Sequence, residues 1–162
     1  METSAARKGF IVFFRLAMAW TFIYAASHQV FDPKFTVAAF LAHTKTFHDV
    51  YAPLTAPSVA PIVTFLVSYG HLLIGLSLLV GLCVRASATF GILLMLTYWT
   101  AHMDFPFIEN RNNFLVDFHI VYAGVLLYLI VESAGHVWGL DAIVEKLGFF
   151  RKHRGLRTAL VA

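Results

Sequence analysis

Histidine, tyrosine and aspartate recur in this chain where an apolar sequence has least use for them. His71 falls near the middle of one long apolar stretch, His102 near the end of the next, and His119 near the start of the last, while His28 closes the first. Tyr98 stands one helical turn before His102, Asn113 one turn before Asp117, and His119 shares a face with Tyr122. Asp104, Arg111, Asn112 and Asn113 gather around the ends of the same stretches, and His43 and His48 lie in a loop beside them. Histidine exchanges a proton near neutral pH, and tyrosine and aspartate can relay or orient that proton. The set therefore suits redox, proton-transfer or anion-binding chemistry. A single histidine near a helix end is more often an interfacial or satisfied core residue, and Asp104 and Asp117 are equally explained as marks of a membrane boundary. It is their convergence that carries the functional reading. His71 carries most of it, because water is scarcest near a bilayer midplane.

These residues must be positioned by membrane-crossing helices. Of 162 residues, 59% are hydrophobic and only 13% charged, and the mean hydropathy is +0.74. A soluble domain carries roughly 25% charged residues, so lipid must face much of this chain. Four stretches approach the roughly 20 apolar residues needed to cross a bilayer: about 10–30, 58–84, 86–107 and 114–133. The expected fold is all-α, a four-helix transmembrane bundle over residues 1–137 followed by a basic amphipathic tail over 138–162. The first stretch is read as an uncleaved helix, because Arg15 interrupts the apolar core that a signal peptide needs.

In this arrangement the histidine of the first stretch lies roughly 20 Å further along its helix than Arg15. His28, His102 and His119 then share one outer layer. Basic residues set the orientation. Arg7 and Lys8, Arg85, and the tail residues Lys146, Arg151, Lys152, Arg154 and Arg157 share one side, which the positive-inside rule places in the cytoplasm with both termini. The location implied is a bacterial or archaeal cytoplasmic membrane. The segment from Phe35 to Ala42 predicts a short interfacial helix on the periplasmic side, and Leu140, Ile143, Val144 and Leu147 predict an amphipathic one at the other face. Arg15 and Glu132 both belong to the inner leaflet and are expected to form a structural ion pair. Gly70, Gly75, Gly81 and Gly91 would let helices approach closely. Cys83 is the only cysteine, which excludes an intrachain disulfide or a CxxC motif. Nucleic-acid binding does not fit a chain whose basic residues crowd one short tail.

The first stretch, from Arg15 through Tyr24 to the exit Phe31-Asp32-Pro33, resembles the opening of DoxX/DoxD-type membrane proteins. The run from Gly70-His71 to Arg85 is similar to that family's second helix, and the match continues through Tyr98–Pro106, Asn113–Tyr122 and Ala134–Asp141. The resemblance implies a membrane subunit like the DoxD subunit of thiosulfate:quinone oxidoreductase. Such a subunit would oxidise thiosulfate, or a related sulfur compound, to tetrathionate on the outer face and pass the electrons to membrane quinone. Catalytic residues would then be His71, Tyr98, His102, Asp117 and His119, and Arg111, His28, Asp104 and Asn113 would bind substrate. Two further readings stand beside it. Histidines on facing helices could ligate a haem or a metal, with no particular metal site assigned by spacing. The chain could instead anchor a redox partner through its tail, as a homodimer or with a second subunit.

Overall fold

The computed structural model describes residues 4–105, 107–108 and 116–161. Helix α1 (Ala5–Val30) opens on Ser4, whose hydroxyl accepts the Arg7 amide. Two short helices follow, α2 (Val37–Leu41) and α3 (His48–Tyr51), the second running into a single 3-10 turn. Then come α4 (Ala60–Val80) and α5 (Val84–His102). A two-residue ladder pairs Met103 with Ile108 and Asp104 with Phe107. Helix α6 (Phe118–Val131) follows, and the chain ends in α7 (Asp141–Val144), α8 (Gly148–Lys152) and α9 (Arg154–Leu160).

Apolar spacing decides which face of each helix is buried. On α1, Ile11, Met18, Ala19, Phe22 and Ala26 recur every three or four residues and turn inward. They meet Ile74 and Leu78 of α4, Ala88 and Met95 of α5, and Ala123, Leu126 and Leu129 of α6. Helix α1 packs chiefly along α4, and α5 along α6. The crossing of α1 and α4 is close at Gly75, where an added Cβ would sit 2.9 Å from the Ile23 backbone nitrogen. A second, smaller core joins Val37 and Leu41 of α2 to Tyr51 and Ala101, so α2 lies over the ends of α4 and α5.

The opposite faces are apolar as well. Phe13 and Trp20 on α1, Phe65 and Leu73 on α4, Phe90 and Leu93 on α5, and Val121 and Leu127 on α6 are all exposed. A water-soluble monomer rarely shows apolar patches beyond a few hundred Å², whereas lipid accepts such faces. Two of the described helices, α1 and α4, are long and apolar enough to cross a membrane. Helix α6 is shorter than the stretch read from the sequence, at 14 residues or about 21 Å. Helix α5 stops at His102, where the chain turns into the small ladder. The tail also differs from a single amphipathic helix. It breaks into three short helices, and Leu140, Ile143 and Leu147 are exposed.

Candidate functional site

The two ends of the long helices hold different polar clusters. At the end where α1 finishes, α4, α5 and α6 bring aromatic and imidazole rings into one series. His71, from α4, is buried, and its ring centre lies 5.8 Å from that of Tyr98 on α5. Tyr98 stacks on His119 of α6, 5.4 Å away with planes only 5° apart. His119 in turn lies 5.9 Å from His102, which is exposed at the last residue of α5. Phe22 and Phe40 flank the series, against His71 and against Tyr98 and His102 respectively.

Asp117 fixes the orientation of His119. As the N-cap of α6 it accepts the His119 backbone amide at 2.7 Å, and the same oxygen lies 2.5 Å from His119 Nδ1. A carboxylate only accepts, so Nδ1 carries the hydrogen and Nε2 is left to face other partners. Asp117 and His119 are both buried, at 4% and 7% exposure.

A cavity of about 210 Å³ opens beside these rings, lined by His71, Tyr98 and His119 with Thr21, Gln29 and Tyr122 among its walls. Of its lining residues, Gln29 keeps a buried Oε1 with no hydrogen-bond partner among the described residues, and the His71 ring has only the Val67 backbone beside it, without a well-formed hydrogen bond from Nδ1. Leaving a buried donor or acceptor unmade costs about 1–3 kcal/mol.

The site thus gathers His71, Tyr98, Asp117 and His119, with His102 at its edge. His28 is elsewhere. It is exposed, its Nδ1 lies 3.0 Å from the Tyr24 carbonyl, and its ring rests on Tyr24. Asp104 is exposed and pairs with Lys45 at 3.4 Å. His43 and His48 each turn back to a carbonyl of their own segment. Arg111 and Asn113 lie outside the described residues. Gln29, which carries no charge, does not stand out in the sequence as the ionisable groups do. The only signal was an uncharged polar side chain next to His28 near the end of an apolar stretch.

Among the described residues, no three His, Cys, Asp or Glu side chains stand close enough to hold a metal ion. A haem between two histidines needs their rings on opposite faces of a flat macrocycle. The Tyr98 ring stands between His71 and His119, so the pair does not fit that group.

The opposite end is held by backbone groups. Arg15, 3% exposed, donates from Nη1 to the carbonyls of Ala134 and Val137 at 2.7 and 2.9 Å, and from Nη2 to Trp138 at 3.2 Å. The expected Arg15–Glu132 pair is therefore not formed. Glu132 instead takes a two-pronged contact from Arg7, with its closest approach 2.6 Å. Glu132 caps the far end of α6, level with the first turns of α1, which puts Arg7 rather than Arg15 beside it. Fully buried Asp141 accepts the amides of Cys83 and Val84 at 2.6 and 3.1 Å, closing the turn between α4 and α5. Gly81 makes that turn with φ of 69°, and an added Cβ there would meet Arg15 Nη1 at 2.7 Å. Burial pushes the Asp141 carboxyl above its ordinary range, against the pull of the two amides, His136 and Arg15.

Long apolar helices, apolar outer faces and a polar cavity buried among helix ends define a helical membrane protein. The chain belongs to the DoxX family, whose model matches residues 10–103. That match takes in α1, α4 and α5 and stops before α6, which supplies Asp117 and His119. Comparison with curated proteins and with solved structures gave no significant match.

Proposed function

We propose that the chain is a membrane-embedded subunit of a quinone-linked oxidoreductase, and that the cavity between α1, α5 and α6 receives the quinone head. The observation that carries this reading is a cavity of about 210 Å³ lined by His71, Tyr98, His119, Tyr122 and Gln29, which sets polar ring groups and one amide against apolar walls. A quinone offers two carbonyl acceptors on a flat ring. Its reduced form offers two hydroxyl donors. Imidazole or phenol hydrogens of His71 and Tyr98 suit the first, and Gln29 Oε1 suits the second. The apolar outer faces of α1 and α6 give a lipid-dissolved ligand its approach.

In this reading the four long helices cross a bacterial or archaeal cytoplasmic membrane with both termini inside, and the histidine end faces out. The resemblance to DoxD-type subunits makes thiosulfate the favoured donor. Two thiosulfate ions each lose one electron and join through a new S–S bond as tetrathionate. The quinone takes both electrons and two protons to become quinol. The chain's own part is to hold the quinone head and to pass protons through His119 and Tyr98, with Asp117 keeping His119 in one tautomer.

The test is thiosulfate-dependent reduction of a short-chain quinone by purified protein, beside His119→Ala. Turnover in the wild type that the substitution abolishes supports the reading. A folded wild type without turnover, or an unaffected variant, contradicts it.

A further inference from the structure

The ring series has a direction that quinone binding alone does not require. His71, Tyr98 and His119 line the cavity, whereas His102 does not; it is the one member that reaches the surface. Centre-to-centre steps of 5.9, 5.4 and 5.8 Å run from exposed His102 through His119 and Tyr98 to buried His71. All four rings carry exchangeable N–H or O–H groups. Rings at these centre-to-centre spacings lie close enough for bridging waters to link their N–H and O–H groups. Among the described residues, no comparable ring series leads from the cavity to the Arg15 end. There the side chains below His71 on the inner faces are Ile74 and Leu78 of α4 and Met18 and Ile11 of α1.

We infer that His102 is the entry point for the protons consumed at the cavity, loading from solvent at the histidine end and delivering through His119. The inference rests on the proposed quinone reduction. Each quinone reduced with two electrons takes up two protons, and both enter from that end. Asp117 contributes by holding His119 Nδ1, so that Nε2 is the nitrogen that accepts from His102 and passes the proton on. His102 itself touches neither substrate nor cavity. It acts by supply.

A supply role has a signature that a packing role lacks, which is rescue by a diffusible proton carrier. The experiment measures quinone reduction at low buffer concentration for wild type, His102→Ala and His102→Gln, with and without added imidazole. His43→Ala, an exposed histidine outside the series, serves as the control. Both His102 variants are expected to fall about tenfold in kcat with KM for the quinone unchanged. Imidazole is expected to restore most of the loss, and His43→Ala to match the wild type. Full activity in His102→Ala, or a loss that imidazole leaves untouched in both variants, overturns the inference while the wild-type rate upholds the quinone reading. A wild type that reduces no quinone overturns both.

Discussion

Replacing Asp141 by Ala removes the acceptor that closes the α4–α5 turn, and its cost follows from the geometry. The carboxylate is fully buried and accepts two backbone amides, those of Cys83 and Val84. Alanine leaves both donors without a partner in a space too close for easy solvation. At about 1–3 kcal/mol for each unmade buried hydrogen bond, the two together cost about 2–6 kcal/mol. A chain of this size loses about 2–4 °C of melting temperature per kcal/mol, which gives a drop of about 4–24 °C. The natural comparison is Glu132→Gln. It breaks the carboxylate contact that Arg7 makes among the described residues, but Arg7 is half exposed and solvent screens the pair. Its effect should stay within about 1 kcal/mol. Thermal unfolding of both variants in the same detergent separates the cases. If Asp141→Ala melts with the wild type, or Glu132→Gln falls further than Asp141→Ala, the assignment of the buried anchor to Asp141 is wrong.

Other outcomes follow from the same contacts. Gly75→Ala forces a methyl group onto the Ile23 backbone and should cost about 1–3 kcal/mol by detergent melting. Gly70→Ala meets nothing within 4 Å and should stay within about 0.5 kcal/mol. Asp117→Asn keeps a good N-cap for α6, so the protein should fold. Its Oδ1 can still accept from His119 Nδ1 but no longer offers a negative charge to a protonated imidazole, and quinone reduction should fall by about tenfold or more; an unchanged rate would remove the Asp117 charge from the mechanism. Tyr98→Phe preserves the ring stack and removes only the hydroxyl, so a loss of rate with unchanged melting would separate chemistry from packing.

The sequence made some of this legible and hid the rest for physical reasons. Apolar length located α1 and α4, because a bilayer-crossing helix needs roughly 20 apolar residues, but with both faces apolar the sequence did not say which one is buried. Depth brought His102 and His119 together with Asp117 around an outer layer, whereas His71 was read near the midplane and its place beside Tyr98 had to come from the packing of α4 on α5. Depth alone did not separate His28 from them. That residue shares their level but points outward on α1, which rotation about the helix axis decides and spacing across a loop does not. The Arg15 partner was hidden for another reason. Its acceptors are carbonyls of Ala134, Val137 and Trp138, and the direction of a loop carbonyl leaves no trace in residue identity. Asp141 was hidden similarly, since its partners are backbone amides brought close only by the α4–α5 turn.

The most direct test of the central claim is equilibrium binding of a short-chain quinone to the purified protein, compared with Ala25→Phe. Ala25 lines the cavity, and a phenyl group there would occupy the space that the quinone head needs. The account predicts saturable one-to-one binding by the wild type and its loss in a variant that still folds. Equal binding by both proteins, or none by the wild type, would contradict it.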